Sequence, residues 1–240
     1  LAPDAVALLV AALEADERIA IVGPKLRWAD DPQRLQSVGA TIDLTGRVDD
    51  GIDPDELDQG QRDGDRRVLF VPTAGMLIRR RVLDELGRFD PRAHAFREDL
   101  DLCWRAAVAG HDVEVVPAAV GSHAALAAEH RRTGRVAELG PRYLAERNTL
   151  TALLMNYGRP RLLVVLPLAL GVGLAKVAGF LVTRRISDAR ATVSAWVWNV
   201  VNLPGTLRRR RTVQAMRRRS DAEIAPLFGR IAPRLWAYLE

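Results

Sequence analysis

With 240 residues, of which 48% are hydrophobic and 27% charged, the chain can bury a full core, which excludes an intrinsically disordered protein. The single cysteine, Cys103, excludes an internal disulfide framework and a cysteine-ligated zinc site. The net charge of +5 is divided unevenly, because residues 159–240 carry 15 Lys and Arg against 4 Asp and Glu, whereas residues 1–158 carry 20 against 26. A basic segment joined to an acidic domain is typical of a protein that meets nucleic acid or an anionic membrane surface.

The first third of the chain alternates between predicted helices and strands. Apolar residues at helical spacing near the amino terminus predict a helix, and IAIVGP at residues 19–24 predicts a strand that Gly-Pro ends. Residues 39–48 read as a pair of short strands, and the acidic, Gly-rich residues 49–65 as a mobile surface loop. RVLFVP at residues 67–72 is a further strand. The alternation predicts an α/β fold.

Three small residues then introduce a helix. Thr73, Ala74 and Gly75 precede a run that becomes amphipathic and closes at Gly87. Glycine permits close backbone contact with a ligand, but an ordinary strand-to-helix turn has the same composition. Both interpretations of Gly75 stay open at this point.

The segment FREDLDLCWRAAVAGHDVEVVP, residues 96–117, groups three carboxylates, Glu98, Asp99 and Asp101, ahead of an apolar helical pattern. The pattern predicts a helix over about residues 99–109, so the carboxylates are expected on a loop at its mouth. Acidic residues also stabilise any helix start through capping and the helix dipole, and a capped surface helix is the alternative to a functional site.

The same helix supplies further expectations. Asp101 and Arg105 lie one turn apart, which predicts a cap and an ion pair. Cys103 falls on the apolar face and is expected to be a core thiol. Residues 113–116 predict a short, partly buried strand that Pro117 ends.

A long apolar run follows in the basic part of the chain. Residues 162–182 are apolar except for Lys176, and at 1.5 Å per residue they can cross a hydrocarbon core of about 30 Å. A buried core helix is the alternative, although Pro167 and two glycines favour a membrane helix. Residues 189–207 could return across the bilayer or lie in its interface.

Two arginine clusters, residues 208–211 and 217–219, come after these hydrophobic segments. Positive charge collects on the cytoplasmic side of membrane proteins and attracts anionic lipid. The basic runs contain no interleaved aromatic residues of the kind that read bases. A membrane partner is therefore expected, and no nucleic acid.

The order of five segments resembles the second half of the family 2 glycosyltransferases. The segments are VGPKL, TAGMLIRRRVLDELGRFD, FREDLDLCWRAAVAGHDVEVVP, GSHAA and YLAERNTLTALLMNYGR, and the likeness covers residues 1–158. The resemblance implies the inverting type, with a nucleotide-diphospho-sugar transferase (GT-A-like) α/β fold, and especially the membrane-tethered envelope-polysaccharide enzymes of actinobacteria. It implies an acceptor-side half over residues 1–158. The hydrophobicity and charge described above predict hydrophobic membrane segments over 159–207 and a basic, helical, membrane-proximal tail over 208–240.

The implied activity is transfer of a hexosyl or rhamnosyl sugar from a nucleotide-diphospho-sugar donor to a cell-envelope glycan or lipid-linked acceptor. The expected location is the cell membrane, with the catalytic domain on the cytoplasmic face. The family's Asp-x-Asp motif and nucleotide-binding strands have no counterpart in these residues, and we expect them before Leu1. The chain is then a fragment that is inactive alone. The alternative is a non-catalytic membrane-associated module of the same fold that binds a glycan or a partner.

The same resemblance implies site residues near the carboxylates. Asp99 matches the catalytic base, and Glu98 beside it shapes the acceptor pocket or its charge. Thr73, Ala74 and Gly75 match a turn that the acceptor and the donor sugar approach closely.

Two further site residues come from later segments. His123 matches a supplementary ligand of Mn²⁺ or Mg²⁺, whose main ligands are expected before Leu1. Arg147 matches the first residue of an Arg-Asn pair that either contacts phosphate or packs at the interface. Alanines in AHAFRED, where relatives often carry aromatics, leave the acceptor pocket undefined.

Overall fold

The computed structural model describes residues 1–64, 66–124 and 140–229 of the chain. The last residue of the GSHAA segment and residues 230–240 of the predicted basic tail lie outside the described residues. The described part is a mixed α/β domain followed by a group of packed helices.

The amino-terminal helix and strand form because their apolar side chains meet on one side. In α1 (Ala5–Ala15), Leu9 and Leu13 recur at helical spacing and are buried. They pack in one cluster with Val22 of β1 (Ile19–Trp28). The predicted helix and strand are confirmed, and the strand runs on past its predicted end.

β1 is at the centre of a four-stranded sheet. Two short strands pair with it antiparallel and one long strand pairs with it in parallel; these are β2 (Leu35–Ser37), β5 (Leu77–Ile78) and β6 (Asp112–His123). A separate antiparallel hairpin of β3 (Thr41–Ile42) and β4 (Val48–Asp49) confirms the pair of short strands predicted for residues 39–48.

β6 does not end at Pro117, contrary to the prediction. Its register against β1 shifts there, because Pro24 lies opposite Val116 while the next residue of β1 lies opposite Val120. The residues in between bulge out of the ladder, which accommodates a proline that cannot donate a backbone hydrogen bond. The strand then continues to His123.

The segment predicted as a strand at residues 67–72 is extended but forms only isolated bridges. Arg67 pairs with Glu114 of β6, and Phe70 pairs with Ala40 in the residues before β3. Because its partners belong to two different segments, it cannot build a continuous ladder with either. The segment still contributes buried apolar side chains to the core.

The acidic stretch at residues 49–65 is anchored at Asp58. The Asp58 side chain is only 3% exposed, and its Oδ2 lies 3.0 Å from Lys25 Nζ and 2.5 Å from Arg27 Nη2. This part of the predicted mobile loop is therefore held against β1 by buried charge pairs.

The helix α3 (Glu98–Val108) lies in the middle of the domain, after the short α2 (Arg80–Glu85). Every residue of α3 from its third position onward is buried. The Trp104 ring packs edge-on against Tyr157 with ring centroids 4.7 Å apart. Cys103 is a buried core thiol, as predicted, and burial raises its pKa.

Packed helices form the described residues after position 140. They are α4 (Pro141–Asn156), α5 (Arg159–Val182), α6 (Ile186–Val201), α7 (Leu203–Ala215) and α8 (Asp221–Ile224). α4 packs on α3, and α6 and α7 pack on α4. Arg210 of α7 holds the carboxyl end of α4, because its Nη1 donates to the carbonyls of Leu154 and Tyr157 at 2.6 Å each.

α5 is, within the described ranges, the one helix long and apolar enough to cross a membrane by length and composition. One side of α5 packs on the protein through Val165, Ala169 and Phe180. Other sides expose large apolar side chains, with Leu163 79% and Leu174 63% exposed.

The second hydrophobic stretch, predicted at residues 189–207, is not one helix. α6 ends at Val201, Asn202 precedes α7, and Pro204 lies in the first turn of α7. Proline is tolerated in a first turn because its missing N–H would have no partner within the helix there. The sequence pattern therefore spans a turn between two shorter helices.

Candidate active site

The loop before α3 has a strained backbone. His94, Phe96 and Arg97 have positive φ angles of 62°, 62° and 65°. Residues other than glycine adopt this region at a cost of about 1–3 kcal/mol each. Such a conformation persists only where surrounding contacts hold it, and here it leads directly into the carboxylates of α3.

Two neighbouring side chains of α4 hold this loop. Asn148 Nδ2 donates to the carbonyls of Ala93, Ala95 and Phe96 at 3.0, 2.9 and 2.7 Å. Arg147 Nη2 donates to the Ala93 carbonyl at 2.8 Å, and Arg147 Nε donates to Asn148 Oδ1 at 3.0 Å. Both side chains are buried. The contact of Arg147 with substrate stays a prediction.

The three carboxylates lie in the first turn of α3, not on the loop before it, because the helix begins at Glu98. Arg97 is the N-cap residue, and its side chain makes no capping hydrogen bond. The amino-terminal end of the helix favours negative charge at Glu98, Asp99 and Asp101 through the helix dipole.

Asp99 combines burial with several contacts that favour its charge. Burial raises the pKa of Asp99 above its usual value, although hydrogen bonds from backbone amides, including Leu100 and Thr73, and the positive charge of Arg97 oppose this rise. The Leu100 amide lies 2.8 Å from Asp99 Oδ1. Burial also lowers the pKa of Arg97. A carboxylate with a raised pKa is suited to accept a proton near neutral pH.

The other two carboxylates, Glu98 and Asp101, have different surroundings from Asp99. Glu98 has a buried Oε2. Asp101 Oδ2 pairs with Arg105 Nη2 at 2.8 Å, and Asp101 Oδ1 accepts a hydrogen bond from Asn156 Nδ2 at 3.3 Å. The predicted ion pair is confirmed, but the predicted capping role of Asp101 is wrong, because its carboxylate is engaged by side chains of the core.

The turn of small residues lies beside Asp99 through the Thr73 amide. Gly75 has a φ of 81°, and a Cβ at this position would lie 2.8 Å from Pro24 Cγ. The backbone and the packing against β1 therefore require glycine here without any ligand. Thr73 is exposed and Ala74 is half-buried, so both are accessible from solvent. Substrate contact by this turn stays a prediction.

His123 ends β6 and is held by Gln36. Gln36 Nε2 donates to the His123 carbonyl at 3.1 Å, which directs Gln36 Oε1 toward His123 Nδ1 at 2.9 Å. Because an amide oxygen only accepts, Nδ1 carries the proton, and Nε2 of the neutral imidazole keeps the lone pair that a metal ligand needs.

The described residues contain no group of three or more His, Cys, Asp or Glu side chains that could hold a metal ion. His123 therefore fits a metal only together with further ligands. Its tautomer suits that role, and the role itself stays a prediction.

A cavity of about 690 Å³ opens between the strained loop, the β3–β4 hairpin and helices α4 to α6. Phe96 and Arg97, which directly precede the carboxylates, form part of its wall. Its charged lining comprises four cations and one acid, namely Arg47, Arg97, Arg142, Lys176 and Glu146. Ala169 and Val172 of α5 add an apolar wall. The cavity beside the strained loop is thus both cationic and partly apolar, and Asp99 itself is not among its lining residues.

Sequence reasoning missed how the loop is held. The sequence pattern marks Asn148 only as the neighbour of Arg147 and gives Arg97 no role of its own. Asn148 lies 52 to 55 positions from the carbonyls that it binds, so no local pattern connects them. Three non-glycine residues with positive φ in a row of four have no signature in the sequence either.

Comparisons with known proteins point to one family. A family model described as "Glycosyltransferase like family 2" matches residues 1–156. Over 71 residues the chain is 37% identical to the pre-mycofactocin glycosyltransferase of Mycobacterium tuberculosis, in strains CDC 1551 / Oshkosh and ATCC 25618 / H37Rv. The aligned segment covers 28% of this chain and 15% of the relative's length.

Proposed function

The chain belongs to the glycosyltransferase-like family 2, and we propose that it is the acceptor-side part of an inverting glycosyltransferase of the cell envelope. A domain of this family implies a nucleotide-sugar donor and an acceptor. The observation that carries the proposal is Asp99, a half-buried carboxylate with a raised pKa that directly follows the strained loop lining the cavity.

In the proposed reaction, Asp99 accepts the proton of the acceptor hydroxyl while that oxygen attacks the anomeric carbon of the donor sugar. The bond between the anomeric carbon and the diphosphate breaks, and the nucleoside diphosphate leaves with the electron pair. Attack and departure on opposite faces invert the configuration. Arg97 favours the ionised form of Asp99 before the proton is taken.

We place the acceptor in the cavity beside Phe96 and Arg97. Its cationic side chains suit an acceptor that carries negative charge, and its apolar wall on α5 suits a lipid tail. A lipid-linked or anionic envelope glycan has these properties. Hexosyl and rhamnosyl transfer are both compatible with this arrangement.

For the donor, we propose that a bound Mn²⁺ or Mg²⁺ would supply positive charge for the diphosphate. His123 is the described residue that would supplement its coordination, and the main ligands and the nucleotide site are proposed to precede Leu1. On this proposal, residues 1–240 do not transfer sugar alone.

We further propose that the protein works at the cell membrane, with the catalytic domain on the cytoplasmic face. α4 runs antiparallel beside α5, since Glu146 pairs with Lys176 and Arg142 lies 4.8 Å from the Phe180 ring. Charged side chains thus lie along the flank of α5 that faces α4, and burying them in the hydrocarbon core would be costly. We therefore propose that α5 contacts the membrane surface through its exposed apolar face and does not cross the bilayer.

The test is sugar transfer by the complete protein with Asp99→Asn, which keeps the shape of the side chain but cannot take a proton. Turnover should fall by about 10²- to 10⁴-fold, with donor binding unchanged. Asp84→Asn, the same change at an exposed carboxylate of α2, should leave turnover intact. Wild-type turnover with Asp99→Asn would favour the alternative, a non-catalytic module that binds a glycan or a partner.

A further inference from the structure

A second cavity, of about 920 Å³, lies where α5 begins and shares no lining residue with the cavity beside the strained loop. Its walls come from the first turn of α5, from α7 and from the turn before α8. Its charged lining comprises five arginines and one acid, namely Arg159, Arg161, Arg210, Arg211, Arg217 and Asp221. The proposed sugar transfer uses none of these side chains.

The single acid, Asp221, compensates only one of the five arginines. Asp221 Oδ1 lies 3.1 Å from Arg217 Nη1, and Asp221 Oδ2 accepts the Gly158 amide at 2.8 Å. Arg159, Arg161 and Arg211 are exposed, and they have no carboxylate partner in the part of the chain that the structure describes. Three positive charges thus remain uncompensated around the cavity.

Arg210 adds a further positive charge at the wall of this cavity. Its side chain is 8% exposed, and its Nη2 is buried without a hydrogen-bond partner among the described residues, whereas Nη1 holds the end of α4. Burial lowers the pKa of Arg210, and the positive charges of Arg217 and Arg159 lower it further. An anion bound in the cavity would relieve this repulsion between like charges.

We propose that this arginine cavity binds a phosphate group. Guanidinium groups match phosphate oxygens in pairs, and the amino-terminal end of the 24-residue α5 favours negative charge at the same place. The phosphate can belong to an anionic phospholipid headgroup, since the exposed Leu163 and Val164 follow directly on α5. It can also be a soluble diphosphate, such as the one carried by the nucleoside diphosphate that sugar transfer releases.

The test uses two triple variants of the purified protein that remove equal charge. Arg159→Gln/Arg161→Gln/Arg211→Gln changes only exposed cavity residues, so folding should be kept. Arg184→Gln/Arg190→Gln/Arg208→Gln changes exposed arginines outside the cavity, one of them on the same helix α7. Binding is measured with sodium pyrophosphate by calorimetry and with vesicles of phosphatidylglycerol and phosphatidylcholine by sedimentation.

The cavity variant should bind at least one probe about 100-fold more weakly, since each basic residue near an anionic surface contributes about a factor of five. The matched variant should keep pyrophosphate binding and most vesicle binding. Selective loss of vesicle binding identifies a lipid headgroup, and selective loss of pyrophosphate binding alone identifies free diphosphate. Equal effects of both variants on both probes, or no effect of either, would overturn the proposal.

Discussion

Asn148 Nδ2, on α4, donates a hydrogen bond to the Phe96 carbonyl at 2.7 Å. This bond ties α4 to the loop in front of α3. The loop reaches Asp99 three residues later. We expect the orientation of the proposed base to depend on a residue that is not among those lining the cavity beside the loop.

Asn148→Ala should lower both stability and turnover, because the three loop carbonyls lose their shared donor and the left-handed residues are released. Burying carbonyls without a partner costs about 1–3 kcal/mol of unfolding free energy. Asn199→Ala is the matched control, since Asn199 is equally buried and its Nδ2 donates to the Arg147 carbonyl at 3.1 Å. Both variants should lose stability in urea unfolding, and Asn148→Ala should lose more turnover. Equal turnover in the two variants would contradict a positioning role for Asn148.

The raised pKa of Asp99 predicts a conflict between activity and stability. The folded protein binds a proton at Asp99 more tightly than the unfolded chain does, so the stabilising contribution is present below the unfolded pKa and is lost as the pH rises through the folded pKa. At neutral pH the ionised Asp99 is therefore destabilising.

Asp99→Asn should accordingly raise the melting temperature at pH 7 while it removes transfer activity. The pKa of Asp84 shifts in the opposite direction, because hydrogen bonds from Arg88 and Arg80 lower it. The ionised form of Asp84 therefore stabilises the fold at pH 7. Asp84→Asn should therefore not raise the melting temperature. A lower melting temperature of Asp99→Asn at pH 7 would show that the charge of Asp99 stabilises the fold.

Two ion pairs with the same helical spacing differ in burial, and their stability effects should differ accordingly. The Asp101 side chain is 9% exposed and its partner Arg105 is 2% exposed, whereas Asp84 and Arg88 are 44% and 64% exposed. Asp101→Asn leaves a buried guanidinium without its counter-ion, which costs about 3–5 kcal/mol. Asp84→Asn should change stability little. Urea unfolding curves of the two variants should separate clearly. Coincident curves would show that burial of an ion pair does not set its contribution to stability here.

His123→Ala should raise the Mn²⁺ or Mg²⁺ concentration needed for half-maximal transfer by the complete protein, because it removes the Nε2 lone pair. His111→Ala is the matched control, since His111 Nε2 lies 3.1 Å from Glu85 Oε2. Gln36→Leu should produce an intermediate effect, as it frees the His123 ring without removing it. If the metal requirement of His123→Ala is unchanged, His123 does not bind the metal and has only a structural role at the end of β6.

The exposed face of α5 should bind membranes. Leu170→Glu/Leu174→Glu places two charges on that face, where the two leucines are 47% and 63% exposed. Membrane partitioning should fall by at least about tenfold, because each buried leucine contributes about 1.5–3 kcal/mol. Val6→Glu/Val10→Glu makes the same change on exposed positions of α1 and should have no effect in vesicle flotation. Retention of wild-type protein after carbonate washing would indicate a crossing of the bilayer instead of surface contact.

Much of the fold follows from local pattern, and what does not follow depends on distant contacts. The α1–β1 unit and the β3–β4 hairpin were predictable because their apolar spacing and turn residues lie within a few positions of each other. The course of β6 past Pro117 was not, because the register shift is set by its partner β1.

The candidate site divides in the same way. The carboxylates and the ion pair of Asp101 could be read from one segment, and the small-residue turn from another. The direction of the Asp99 pKa shift could not, because burial by the surrounding core outweighs the amides and the charge of Arg97. The proton on His123 Nδ1 likewise depends on Gln36, 87 positions away.

The contacts of α7 and α6 with α4 also limit how freely the parts of this protein can be exchanged. Arg210 binds the carbonyl end of α4, and Asn199 binds Arg147, which in turn holds the strained loop. A chimaera that joins residues 1–158 to the hydrophobic helices of another transferase would lose these contacts. The proposed catalytic carboxylates and the side chains that hold the loop would all be present, yet α4, which carries Arg147 and Asn148, would lose its support from the helices behind it. The two parts of the chain therefore need matched contacts.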